Sequence, residues 1–294
     1  MTNVLRWHRP LMIFAAAMAA VAVVAAVGVF ADPRVLTGAP IWLKPFKFAV
    51  SFTLYTATLA WMLSLLPRRS RVAEWSATVL VAMSVAEMVV IVTQVVRGQT
   101  SHYNETSPLN AALWQVMSIS IMVLFIAHFV IGIAVLRQRF ADRASSHAVR
   151  WGLGLSLLGL VAAIPMVQPN QFGHSVGVPD GGPGLPVVGW STTGGDLRIG
   201  HFIGLHALQA LPLLALLLGN RLDELTRVRL LLIGGLAYGT LTLLLTWQAL
   251  RGQPLLRPDA LTLAAWAGLA AATAVATIVV VTRRRPALEL ELAA

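Results

Sequence analysis

The sequence predicts an all-α integral membrane protein with eight transmembrane helices, a parallel 4+4 repeat and both termini cytoplasmic. Three observations lead there. Of 294 residues, 57% are hydrophobic and only 12% charged, where a soluble domain carries about 25% charged residues. Apolar runs of about 20 residues, the length that crosses a bilayer core, recur along the whole chain. The string Gln-x-x-Arg-Gly-Gln occurs at Gln94–Gln99 and again at Gln248–Gln253. Eight spans use about 160 positions, and no remaining stretch is long enough for a separate water-soluble domain.

In chain order, the first span (11–30) follows Arg6 and Arg9 and closes on Val29-Phe30-Ala31 before Asp32. That pattern also resembles a cleaved signal peptide, although a run of about 20 residues is long for one. Cleavage would leave the other seven spans in the same orientation. The second span (46–66) lies between Lys44-Pro45-Phe46-Lys47 and the cluster Arg68, Arg69, Arg71, and the third (75–96) runs from Trp75 to Arg97. The fourth (111–136) carries Trp114 at its start and meets Arg137 at its end. The fifth (151–168) opens on Trp151 and the sixth (198–218) on Arg198, with Pro165 and Pro212 as possible kinks. The seventh (230–250) ends at Arg251, and the eighth (260–281) meets Arg283, Arg284 and Arg285. The expected halves are residues 1–146 and 147–294.

Arginine and lysine positions orient these spans. With a cytoplasmic N-terminus, the inner segments hold Arg6, Arg9, Arg68, Arg69, Arg71, Arg137, Arg139, Arg143, Arg150, Arg221, Arg227, Arg229, Arg283, Arg284 and Arg285. The outer segments hold Arg34, Lys44, Lys47, Arg97, Arg198, Arg251 and Arg257. The bias follows the positive-inside rule and suggests a bacterial plasma membrane. It also accounts for the net charge of +10, so no nucleic-acid partner is expected; the expected partners are the lipid bilayer and a small molecule. Tryptophans near predicted ends, Trp42, Trp114 and Trp247 outside and Trp61, Trp75 and Trp151 inside, suit the headgroup level.

The two Gln-x-x-Arg-Gly-Gln copies stand four spans apart, an even number, so duplicated halves would share one orientation. Stepping back 47 residues from Gln94 and from Gln248 reaches Lys47 and His201, at the starts of the second and sixth spans. Each motif has a structural explanation: a glycine after the last turn ends a helix in the left-handed conformation, and an arginine there meets the carbonyl end of the dipole. It has a functional one too, with Gln94, Arg97, Gln248 and Arg251 facing an outer vestibule that holds an anionic or carbonyl-bearing ligand.

Glu87 is the one acidic residue well inside a predicted span, about 13 Å below the end at Val96 by helical rise. Ionisable groups at that depth are costly and point to function, a partner or a wet cavity. Ser84, Glu87 and Gln94 share one helix face, which is expected to pack on protein. His206 and Gln209 form a comparable stripe on the sixth span at similar depth, and Glu87 with His206 is the expected acid–imidazole pair. His201 points about 140° away from His206, so the two do not share a metal from a regular helix. His128 lies deeper and suits an interhelical hydrogen bond. Lys44 and Lys47, the chain's only lysines, serve either as snorkelling anchors or as ammonium groups at the vestibule.

Polar loops collect at the outer ends. Residues 97–105 include His102, and the Gly- and Pro-rich stretch 169–196 includes His174, Asp180 and Asp196 and suits a lid. Asn104-Glu105-Thr106 is a glycosylation sequon, a short and weakly specific pattern. The chain has no cysteine, which excludes disulfides and thiolate sites, and it lacks zincin, nucleophile-elbow and P-loop motifs.

The function these residues suggest is an outward-facing polar cavity that binds or transports a small molecule, with proton coupling through Glu87. Glu87, Gln94, His206 and Gln209 line it; Arg97, His102, Lys47 and Arg251 form its mouth, with His201 beside them. The alternatives are a membrane-embedded enzyme or haem or metal redox protein using Glu87 and His206, and a structural or accessory membrane subunit. No cofactor, metal site or catalytic residue is assigned.

Overall fold

A computed structural model describes residues 7–138, 140, 142–168, 171–219 and 222–283. Its long helices are α1 (Arg9–Ala31), α2 (Leu43–Ser64), α3 (Arg71–Val96), α4 (Pro108–Leu136), α5 (Arg143–Val161), α6 (Leu197–Leu218), α7 (Glu224–Leu250) and α8 (Ala260–Thr282). All eight are long and apolar enough to cross a membrane, the fifth when counted through to Met166. That is the architecture of a multi-pass membrane protein: a helix satisfies its own backbone hydrogen bonds where lipid offers no partners. Ile13, Phe30, Leu216 and Leu217 stand exposed on helix exteriors, as suits lipid-facing side chains. Arg6, Arg139, Arg221, Arg284 and Arg285, counted above toward the inner side, lie outside the described residues.

Capping explains where the helices begin. The side chains of Ser70, Ser107, Asp142, Asp223 and Asp259 each accept a backbone N–H from three residues further on. Of these caps, Asp142 and Asp223 sit furthest upstream of the predicted apolar runs. The α5 helix starts at Arg143 rather than near 151, and α7 at Glu224 rather than near 230. Their polar first turns are helical but invisible to hydropathy, so Arg143, Arg150, Arg227 and Arg229 lie on helices and not in loops. The predicted fifth span to 168 is also not one helix. It stops at Val161, and Pro165, which lacks an N–H, sits in a short 3-10 turn at Ile164–Met166. Pro212, by contrast, lies inside α6.

Short antiparallel pairs occupy the connections: β1 (Val35–Leu36) with β2 (Ala39–Pro40), β3 (Val167–Gln168) with β4 (Gln171–Phe172), and β5 (Ser175–Val176) with β6 (Gly195–Asp196). In the last pair Ser175 stands opposite Asp196 and Val176 opposite Gly195.

The chain divides into two compact units, Met1–Gln138 with Gly181–Gly189, and Arg139–Asp180 with Trp190–Ala294. Within the first, α1 packs on α2 and α3 on α4, while α3 also touches α1 and α2. Its core gathers Phe14, Met18, Ala49, Met88, Ile91 and Met117. Within the second, α5 packs on α6, and α7 packs on both of them, most extensively on α6, as well as on α8. One core cluster there holds Leu155, Ala207 and Leu211 against Trp151 and Tyr238. The α5 and α6 backbones meet at Gly159 and Gly204 so closely that a side chain on either would strike the other's backbone, the approach that small residues permit between membrane helices. Thr262 is the only buried residue of α8, which leaves that helix peripheral in its unit.

Candidate functional site

The two Gln-x-x-Arg-Gly-Gln strings form helix ends of the same design. On α3 the Gln99 N–H donates to the Gln94 carbonyl at 2.8 Å and the Gly98 N–H to Val95 at 3.1 Å; on α7, Gln253 donates to Gln248 at 3.2 Å and Gly252 to Ala249 at 2.9 Å. This is a Schellman motif, and both glycines are left-handed, with φ of 68° at Gly98 and 70° at Gly252. The glutamines match as well. Gln94 Nε2 donates to Thr100 O at 3.1 Å and Gln248 Nε2 to Pro254 O at 2.8 Å, each six residues ahead.

The arginines go elsewhere than the dipole argument expects. Rather than staying at the carbonyls of its own helix, Arg97 Nη1 donates to Asn110 Oδ1 at 2.8 Å and to Gln94 Oε1 at 2.6 Å. Arg251 donates to Thr262 Oγ1 at 2.9 Å and grips both Asp259 carboxylate oxygens, and its guanidinium lies 4.7 Å over the Trp247 ring. Asn110 and Thr262 each stand three residues after a helix cap, Ser107 and Asp259. A bidentate hydrogen-bonding partner is better for a guanidinium than partial carbonyl charges, and the next helix supplies acceptors. The Arg251 hydrogen bonds hold the Asp259 carboxyl well below the usual carboxylate range.

At the same end of the first unit, Lys44 Nζ donates to His102 Nδ1 across 2.9 Å. An ammonium can only donate, so Nδ1 accepts and the neutral ring carries its proton on Nε2; Ser101 Oγ lies 3.1 Å from the same nitrogen. The His102 ring is surrounded by Phe48, Trp114 and Tyr103 at centroid distances of 5.8, 5.6 and 6.3 Å. Lys47 Nζ donates to the Val188 carbonyl at 3.1 Å, in the Gly181–Gly189 segment. Both lysines therefore bind polar protein groups, and Trp114, expected as a headgroup anchor, belongs to an aromatic cluster.

Below this cluster lies α3's polar stripe. Ser84, Glu87 and Gln94 are buried, at 0, 3 and 0% exposure, as the shared face requires. Gln94 is fully engaged in the corner, donating also to Asn110 Oδ1 at 3.1 Å. Glu87 Oε1 and Ser84 Oγ, one helical turn apart, have no hydrogen-bond partner among the described residues.

The second unit holds the other expected site residues. His201 Nδ1 donates to the Gly159 carbonyl at 2.8 Å, while His206 Nδ1 lies 3.3 Å from Gln209 Oε1 on its own helix. The two imidazoles thus have separate partners, in keeping with their angular separation. Tyr238 OH donates to Ile203 O at 2.7 Å. Near β5, the Asp180 carboxylate accepts the His174 and Ser175 backbone N–H groups and lies 3.2 Å from His174 Nδ1. Glu87 belongs to the first unit and His206 to the second. Among the described residues no three His, Asp or Glu side chains form a metal-ligating group.

Several participants were not foreseen. His128 is stacked on Tyr55 and hydrogen-bonded to its hydroxyl at 2.6 Å, the interhelical role expected of it but with an unnamed partner. Asn104, the sequon residue, is 3% exposed and spends its amide on Thr100 O and its carbonyl on Thr106, which makes it a turn-former. Arg34 chelates Asp32 and reaches the Val95 and Val96 carbonyls at the end of α3; Trp42 Nε1 donates to the same Asp32. Arg198 chelates buried Asp196 identically, with its own N–H, Nε and Nη2. The spacing Asp-x-Arg at both places was the available signal. Compared with family models, with curated proteins and with solved structures, the chain matches none.

Proposed function

We propose that this is a bacterial plasma-membrane protein with both termini cytoplasmic, built from two duplicated four-helix halves near residues 1–146 and 147–294. Its outward-facing end binds or transports a small molecule, and Glu87 takes up and releases the coupled proton. The observation that carries this reading is Glu87 itself: a buried carboxyl whose Oε1 has no hydrogen-bond partner among the described residues, one turn from a Ser84 hydroxyl that has none there either. Left unsatisfied, such groups only cost stability, and inside a membrane they mark ligand or proton sites. Lys44 and His102 supply polar groups toward the loops. The duplication is supported by the two alike corners at Gln94–Gln99 and Gln248–Gln253.

The test is proton uptake by proteoliposomes under an imposed potential, followed with an internal pH dye. Wild-type protein is expected to admit protons, and Glu87→Gln to lose at least about tenfold of that rate while remaining monodisperse, as expected of an essential proton acceptor. Equal rates for the two proteins would remove Glu87 from any coupling role. Periplasmic and cytoplasmic labelling of single cysteines, introduced at Thr106 and at Ser145, checks the orientation.

A further inference from the structure

The first unit carries a second feature that the function above does not use. Where the start of α1, the end of α2 and the start of α3 come together, a cleft of about 680 Å³ opens, within the range of about 300–1,000 Å³ typical of ligand pockets. We infer that this cleft binds the phosphate of an anionic lipid headgroup, with Arg9 and Arg69 as its cationic partners.

The chemistry of the lining is amphiphilic. Arg9 and Arg69 bring two guanidiniums, and Ser64 and Ser70 bring hydroxyls, while Leu63, Leu66 and Pro67 give one side of the cleft an apolar wall. The only carboxylate lining it among the described residues is Glu74, which lies 3.5 Å from Arg69. One carboxylate cannot neutralise two guanidiniums, and Arg9 has no hydrogen bond or ion pair among the described residues. His8 does not add to the charge. Its Nδ1 accepts the Leu11 N–H and its Nε2 faces Thr78 Oγ1, and burial holds its pKa below the ordinary value against the opposing pull of Glu74. What remains is a cleft with surplus donors and positive charge, at the level where three apolar helices end.

That level decides between ligands. A soluble phosphate would use the guanidiniums but has no use for the Leu63, Leu66 and Pro67 wall; a phospholipid has both a phosphate for the arginines and a glycerol and acyl root for the wall. Planar guanidiniums match phosphate oxygens in pairs, and basic pockets at helix ends on the cytoplasmic side are the pattern of headgroup recognition. Arg68 and Arg71 flank the cleft in sequence and add to the local positive field.

Native mass spectrometry of the full chain in detergent, titrated with phosphatidylglycerol or phosphatidylcholine, tests this. Phosphatidylglycerol is expected to bind at one preferred site and phosphatidylcholine far more weakly. The double variant Arg9→Gln/Arg69→Gln is expected to weaken phosphatidylglycerol binding by about thirtyfold, as for loss of two cations near a bilayer surface. Arg257→Gln, in the α7–α8 loop of the second unit, should leave it unchanged. Should the double variant misfold, Arg9→Lys/Arg69→Lys keeps the charge and should retain most of the binding. Equal binding of the two lipids, or undiminished binding by a folded Gln variant, would overturn the site. Displacement of the lipid by millimolar inorganic phosphate would show a soluble-anion site and overturn the lipid assignment.

Discussion

Arg97 and Asn110 are joined by a 2.8 Å hydrogen bond across the α3–α4 corner, and the Asn110 Oδ1 that receives it also receives the Gln94 amide. One buried oxygen thus ties the end of one helix to the start of the next. Asn110→Ala would leave one Gln94 amide hydrogen without its acceptor, the other staying on Thr100 O, and take one acceptor from Arg97; it is expected to cost about 1–3 kcal/mol, read as a lowered thermal unfolding midpoint in detergent. Asn110→Asp, which preserves both acceptor positions and adds a charge opposite Arg97, should cost less. A wild-type midpoint for Asn110→Ala would show that the corner does not depend on this oxygen.

The left-handed glycines of the two corners make a separable prediction. A Cβ at Gly98 would meet nothing within contact distance, so Gly98→Ala reports backbone strain alone, about 1–2 kcal/mol. Gly252→Ala should cost a similar amount, and asparagine at either position less, because it tolerates this conformation. Chemical denaturation of the two alanine variants measures both.

Glu87 should be a stability liability. Replacing a buried acceptor that has no partner among the described residues by an apolar side chain of similar length removes a desolvation penalty, so Glu87→Met is expected to raise stability by about 1–3 kcal/mol. The same variant should abolish the proton uptake described above, the usual trade between stability and activity. A destabilised Glu87→Met would mean that the carboxyl is structural, and the accessory-subunit reading would then take precedence.

Acid should loosen the turn at Asp180. Burial alone would raise its pKa, but the hydrogen bonds from His174 and Ser175 outweigh it and hold the carboxyl below its ordinary value of 3.8. A carboxylate depressed in the folded state contributes stability above its unfolded pKa and loses it as pH falls from about 4 toward the folded value. Hydrogen exchange at the Ser175 amide should therefore gain protection relative to Asp180→Asn above that window, and the two proteins should converge below it.

Hydropathy made the eight spans legible because bilayer thickness sets the length of an apolar run whatever its neighbours do. It could not show the polar first turns of α5 and α7, since Arg143 and Arg227 cost nothing outside the lipid and helical backbone needs only a cap, here Asp142 and Asp223. The corner glycines were readable because their requirement is local. Asn110, Tyr55 and the Arg34 reach to Val95 were not, since each depends on a helix that arrives from elsewhere in the chain. Glu87 was found by depth alone, while the absence of a partner for Oε1 became visible only with its surroundings in place.

The Arg97 and Arg251 corners also bear on biogenesis. The bonds among Gln94, Arg97 and Asn110 that tie α3 to α4 link residues no more than 16 positions apart, and those that tie α7 to α8 no more than 18. Such short-range closure carries little loop entropy. Each pair can lock its angle as soon as the second helix leaves the ribosome, and so enter the bilayer as a preassembled hairpin in which Arg97 is already hydrogen-bonded to Asn110 and Arg251 already paired with Asp259.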